Sequence, residues 1–141
     1  MVVDRRLMDT YLAELDRWVR LLEEERGRSV AELEADPVRA YGVQHLLQIC
    51  IETLVNCANH LSSECGLRVP RNQAESFRNL QAAGAVDAET ADTLVQMARF
   101  RNLVVHRYWQ VDLRRVHAIL QDHLEDFRSA ARQIHEFVDK Q

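Results

Sequence analysis

The sequence predicts an all-α fold, a single up-and-down bundle of about five helices occupying residues 1–141 as one domain. Three observations carry that prediction. The chain has only 4 Gly and 2 Pro, too little turn chemistry for a sandwich or barrel of many short strands. Apolar residues recur at steps of three and four along most of its length, the period of a helix with one buried face. Residues suited to helix caps stand between those runs. A chain of this length is expected to bury about two-thirds of its unfolded surface, leaving roughly 7,500 Å² accessible, which is enough for one self-sufficient core.

The first helix starts at Asp4 and carries Leu7, Tyr11, Leu15, Trp18, Val19 and Leu22 on one face, ending before Gly27. Asp36-Pro37 supplies an N-cap followed by proline at the first helical position, and Gly66 stands where a helix end needs a left-handed residue, so a second helix is predicted over about 37–65. After a short loop containing Pro70, Asn72 and Glu75 resemble a capping box for a third helix that stops at Gly84. Asp87 caps a fourth through Leu94, Val95, Ala98, Leu103 and Val104. Asp112 caps a fifth through Val116, Leu120, Leu124, Phe127, Ile134 and Val138. The second helix is apolar nearly all round, through Leu46, Leu47, Ile49, Ile51, Leu54 and Val55, and is expected at the bundle's centre.

Apolar residues make up 47% and charged residues 28% of the chain, an ordinary globular composition. A net charge of −4 gives no global attraction for nucleic acid or an anionic membrane, so any nucleic-acid contact must be local. Lys140 is the only lysine among 18 basic residues. Cys50, Cys57 and Cys65 are odd in number, lie in one predicted helix and form no Cys-x-x-Cys pair, which argues against a disulfide framework or a zinc site and for a reducing cytoplasm. The first residues lack the apolar core of a signal peptide, and no apolar stretch approaches the length of a membrane span.

Two groups of polar residues stand out. Glu52, Asn56, Asn59 and Ser63, with His60 close by, form a stripe down the otherwise apolar second helix. It reads either as an internal network or solvent-facing side, or as one wall of a polar cleft. The second group is Arg99-Phe100-Arg101-Asn102-Leu103-Val104-Val105-His106-Arg107-Tyr108-Trp109. From Arg99 to Arg115 five arginines face Asp112 as the sole acid, a local charge of +4. A histidine can take and give a proton near neutral pH, and an arginine can hold phosphate charge. Together, His106 and Arg101 could cleave RNA without a metal, the ribose 2′-hydroxyl attacking the adjacent phosphorus. On a straight helix, however, Arg101 and His106 lie about 140° apart. Asn102 shares a face with His106 and can support it, and Tyr108 shares one with Arg101. A working site therefore needs a distorted helix end, a long reach by Arg101, or a second subunit.

Arg101-x4-His106-x-Tyr108 resembles the RX4HXY signature of HepT-like toxins, members of the HEPN superfamily of helical ribonucleases. The run Ile51-Glu52-Thr53-Leu54-Val55-Asn56-Cys57-Ala58-Asn59-His60, the Phe77 and Gly84 region, the Phe100-Arg101-Asn102 entry and the Tyr108-Trp109-x-Val111-Asp112 exit are similar to that family in the same order. The resemblance implies a HEPN-like fold and the toxin of a prokaryotic type VII-like toxin–antitoxin pair. It further implies a metal-independent endoribonuclease without cofactor, acting as a homodimer whose motifs meet in a cleft, with Arg101 and His106 as the catalytic pair. Tyr108 corresponds to the site at which an ATP-using minimal nucleotidyltransferase antitoxin attaches AMP, placing charge and bulk where RNA would bind. Arg99 and Arg107 are the expected RNA-binding arginines; Asn102, Glu52, Asn56 and Asn59 are assigned supporting roles. Asn56 stands where relatives often carry an acid, so Glu52 is the better candidate for a carboxylate at the site. The alternative is a non-catalytic helical module that presents a substrate to a nucleotidyltransferase.

The remaining features read as structural. His45, His117, His123 and His135 have no ligand-like partners in sequence, and Cys57 with His60 in one continuous helix makes an unusual metal site, so no metal is proposed. Glu23-Glu24-Glu25 reads as a solvated helix end that could also meet a basic partner. Trp18 reads as core; Trp109 could stack on a base, but at a helix end it reads as packed.

Overall fold

The computed structural model describes residues 2–141. Seven helices are formed: α1 (Arg5–Glu24), α2 (Val30–Ala35), α3 (Pro37–Glu64), α4 (Gln73–Ala83), α5 (Ala88–His106), α6 (Leu113–Asp122) and α7 (Leu124–Asp139), with a 3-10 turn at Tyr108–Gln110, and no strand occurs among the described residues. The expected caps all act. Asp4, Asp36, Asn72, Asp87 and Asp112 each accept a backbone N–H in the first turn of the helix they precede, and Gly66 and Gly84 take the left-handed conformation at φ 66° and 81°.

The long helices α1, α3, α5 and α7 form a closed ring, each packed on the next. Asp4 N–H donates to His60 Nε2 (3.2 Å) while Arg39 reaches Glu25 (2.8 Å), so α1 and α3 run in opposite directions. Arg5 pairs with Asp139 and Arg128 with Glu23, which sets α7 against α1 in the same way. Gln133, in the later part of α7, bonds to Asp87 N–H and the Thr90 hydroxyl at the start of α5, and Met97 and Phe100 near the other end of α5 line one concavity with Ile119 and His123, just before α7 begins. The ring is therefore up-down-up-down. α3 runs through the core: Leu47, Cys50, Leu54, Cys57, Ala58 and Leu61 have no accessible surface.

Two elements differ from the five-helix expectation. The first is α2, six residues with a single buried apolar side chain, Leu33. Too short to display a period, it is set by a complete capping box in which Ser29 Oγ accepts from Glu32 N–H (3.1 Å) and Glu32 accepts from Ser29 N–H (3.2 Å). By contrast the Asn72 box is half made, because the Glu75 carboxylate is held by Arg71 (2.9 Å). The second is the predicted fifth helix, which breaks at His123 (φ −123°, ψ 2°) into α6 and α7. The apolar period runs through the break, but α6 packs on α2 whereas α7 lies along α1 and α5.

The acidic run is also corrected. Glu23 is taken by Arg128, and Glu25 by Arg28 (2.6 Å) and Arg39 (2.8 Å), leaving Glu24 exposed. Trp18 packs against the core as expected. His117 meets the Arg28 carbonyl (3.0 Å), His123 meets Asp126 (2.7 Å) and His135 meets Asp139 (3.2 Å). No described helix is long and apolar enough to cross a membrane. The accessible surface is 7,788 Å², close to the roughly 7,500 Å² expected for this mass.

Candidate functional site

The signature straddles the end of α5. His106 is the last helical residue; Arg107 leaves helical geometry (φ −140°, ψ 47°), although its N–H still reaches the Leu103 carbonyl (2.8 Å). Gln110 N–H then closes on the Arg107 carbonyl (2.8 Å), forming the 3-10 turn that holds Tyr108 and Trp109. Asp112 follows as the cap of α6, and the Arg114 N–H it accepts holds its carboxyl below the usual range. Arg101 and His106 both lie within α5, ahead of that departure, so the distorted helix end does not bring them together, and a shared site is left to the reach of Arg101 or to a second subunit.

Arg101 is the most constrained residue of the signature. Its side chain is 20% exposed, and Nε and Nη2 both donate to Glu52 Oε1, at 3.0 and 2.7 Å. Nη1 donates to Asn102 Oδ1 at 3.3 Å. Glu52 Oε1 also accepts from Gln48 Nε2 at 3.1 Å. A guanidinium has five N–H donors. Three are engaged here, so two remain for an incoming anion. His106 and Arg107 are exposed, and no hydrogen bond or ion pair joins either side chain to another described residue.

The structure thus gathers Glu52, Arg101 and Asn102. It does not gather the rest of the polar stripe. Asn59 Oδ1 accepts from Ser76 Oγ (2.7 Å), tying α3 to α4, and lies about 10 Å along α3 from Glu52. Asn56 is exposed and unpartnered among the described residues. The support expected from Asn102 to His106 is not formed, because the Asn102 oxygen faces Arg101 instead. Gln48 was missed, although its position four residues before Glu52 on one helix was the available signal. Arg99 is exposed and reaches only Gln96, at 3.5 Å; Arg115 lies over the Phe100 ring, 5.2 Å from its centroid.

Tyr108 is 60% and Trp109 67% exposed, their rings edge to face with centroids 5.3 Å apart. The expectation that Trp109 is packed is therefore corrected: the turn projects it outward. A concavity of about 490 Å³ lies between the end of α3 and the loop after it, and includes Asn59 but not Glu52, Arg101, His106 or Tyr108. Its size does not outweigh the chemistry, which is on an open face. No described group of three His, Cys, Asp or Glu residues is placed to hold a metal ion. Burial pushes the Cys50 and Cys57 thiols up to about 12, and the His60 ring is occupied at the start of α1.

A model of the ribonuclease HepT-like family matches residues 8–134. The chain belongs to the HepT-like ribonuclease family. An mRNA nuclease HepT from Shewanella oneidensis is 35% identical over 81 residues, 57% of this chain and 61% of that protein; the alignment thus spans less than two-thirds of the relative's length. Among solved structures, a tri-AMPylated HEPN toxin of Shewanella oneidensis in complex with an MNT antitoxin superposes with a TM-score of 0.84 at 25% identity, over 92% of this chain and 97% of that one. A toxin–antitoxin complex with AMP-PNP gives 0.83 at 25% identity, over 91% and 97%. In this HepT-like chain the matched span takes in the whole signature together with Gln48 and Glu52.

Proposed function

We propose that this HepT-like chain is a cytoplasmic, metal-independent endoribonuclease toxin, working as a homodimer and silenced when an ATP-using minimal nucleotidyltransferase attaches AMP to Tyr108. The single observation that carries the reading is Arg101, oriented by Glu52 with two donors left over, on the same helix as the unencumbered His106 in the fold of this family.

In the proposed reaction the ribose 2′-oxygen attacks phosphorus, a P–O2′ bond forms and the P–O5′ bond breaks, leaving a 2′,3′-cyclic phosphate and a 5′-hydroxyl. His106 takes the proton from the 2′-hydroxyl, and the protonated His106 of a second copy returns one to the departing 5′-oxygen. The free donors of Arg101 stabilise the charge that builds on the phosphoryl oxygens, and Arg99 and Arg107 hold the strand on either side. Silencing follows from the same electrostatics. The exposed Tyr108 phenol attacks the α-phosphorus of ATP and pyrophosphate departs; the AMP left behind sets negative charge and bulk beside Arg107.

The test is cleavage of end-labelled RNA in excess EDTA by protein of verified unmodified mass. His106→Ala is expected to lose about a hundredfold or more of the rate, the usual contribution of a general acid–base, and Arg101→Ala a similar factor, as for removal of an oxyanion donor. Absence of cleavage by the unmodified wild type over several RNAs overturns the reading in favour of a non-catalytic partner module. Co-expression with the nucleotidyltransferase is expected to raise the intact mass by AMP units, and Tyr108→Phe to abolish the gain.

A further inference from the structure

Trp109 is the largest side chain the protein leaves in solvent. It is 67% exposed, and Tyr108 beside it 60%, whereas Trp18 is packed on the core. An exposed aromatic pair fixed in a rigid turn calls for an occupant. The rings meet at 85° with centroids 5.3 Å apart, so their contact covers at most one face of one ring, and Trp109 keeps a face open. The turn itself is anchored at both ends, by the Arg107 N–H on Leu103 and by the Asp112 cap of α6. A ligand therefore meets a turn whose backbone is already set.

The surroundings choose among occupants. Arg107, exposed and without a side-chain partner among the described residues, directly precedes the pair; of the arginines that follow it, Arg114 is paired with Asp112 and Arg115 lies over Phe100. An unpartnered arginine adjoining a flat, exposed aromatic face suits a polyanion that carries unstacked rings. That describes single-stranded RNA; in a duplex the base faces are already stacked on one another.

We infer that Trp109 forms a base-stacking subsite for an unpaired nucleotide of the RNA strand, with the Tyr108 ring packed edge to face against it. The inference rests on the proposed nuclease reading for its ligand class. Because every base presents a π-face, the subsite accepts any base and selects unpaired over paired RNA.

The chain has two tryptophans, which gives the subsite a direct reporter. In the Trp18→Phe, His106→Ala double variant, Trp109 is the sole indole and the RNA is not consumed. Titration with a single-stranded oligouridylate is expected to quench its emission, while inorganic polyphosphate of matched charge leaves it unquenched. In the His106→Ala background, Trp109→Ala is expected to weaken oligouridylate binding about tenfold, with Trp109→Phe recovering most of the loss and Trp109→Leu little of it. The slope of affinity against salt stays the same, since no phosphate contact is removed; Arg107→Ala is expected to lower that slope. Unchanged affinity in Trp109→Ala, or equal quenching by polyphosphate, overturns the subsite. So does loss of RNA binding accompanied by a halved mass in light scattering, which makes Trp109 a contact between copies of the chain. Quenching by RNA that the unmodified wild type fails to cleave removes the nuclease reading and leaves the subsite standing.

Discussion

Glu52 and Arg101 divide one task between them: the arginine offers donors and the carboxylate decides where they point. Glu52 Oε1 takes three donors at once, two from Arg101 and one from Gln48, so the guanidinium has little freedom to rotate. Removal of the carboxylate leaves a mostly covered cation without its partner, at a cost of about 1–2 kcal/mol. Glu52→Ala is therefore expected to lower both the thermal midpoint and the RNA cleavage rate. In Glu52→Gln an amide oxygen still accepts from Arg101, and most of the rate should survive. A rate that falls equally in both variants would instead mean that the negative charge itself, and not the orientation of Arg101, is what the site uses. Glu52 was legible in the sequence as a carboxylate in a polar stripe. Its separation from Asn59 was not, since residues sharing a stripe on one helix can serve different neighbours, and here Ser76 claims Asn59. Nor was the exposure of Trp109 legible: burial at the end of a helix depends on where the following turn sends the side chain.

At the scale of elements, glycines provide a contrast of sign. Gly84 sits at φ 81° as the C-cap of α4, with open space where a Cβ would be. Gly84→Ala is expected to destabilise by about 1 kcal/mol, the backbone penalty of a left-handed L-residue with no steric clash to add to it. Gly42 is exposed within α3, and a Cβ there also meets nothing. Gly42→Ala is expected to stabilise by about 0.5–1 kcal/mol, because alanine loses less backbone freedom in a helix. Urea titrations of the two single variants should shift in opposite directions; a shift of the same sign in both would show that the denatured state, and not the helix, dominates. The elements with caps and a sustained period, α1, α3, α4 and α5, could be read from residues alone. α2 is one turn and a half with a single core contact, and the break at His123 interrupts no period, so both depend on packing between α2 and α6 that only the folded chain defines. Local pattern records which face is buried, and it is silent on whether one neighbour or two will bury it.

Over the whole molecule the titratable groups limit stability from both sides of neutral pH. Glu23 is held below the ordinary carboxyl range first by its hydrogen bond from Arg128, Glu75 by that from Arg71, Asp87 by those from Thr90 and Asp112 by the Arg114 N–H. A folded-state value below the unfolded one gives stability that is complete above the unfolded value, about 4, and is lost as the pH falls through the folded one. These carboxylates are largely solvated, so the acid limb should be shallow. The alkaline limb has the opposite origin. Cys50 and Cys57 are pushed up from 9.0 to about 12 by burial, and a raised folded value gives stability that is complete below the unfolded one and lost as the pH climbs through the folded one. Between pH 9 and 12 each buried thiol should remove about 1.4 kcal/mol per pH unit, because only the unfolded chain releases its proton there. Unfolding midpoints are thus expected to hold level from about pH 5 to 8 and to fall more steeply on the alkaline side. Replacement of both cysteines by alanine should lower the plateau through lost packing while flattening that alkaline fall. If the fall keeps its slope in the double variant, the charge that opposes folding at high pH belongs to other groups, and the two thiols at the centre of α3 act only as core.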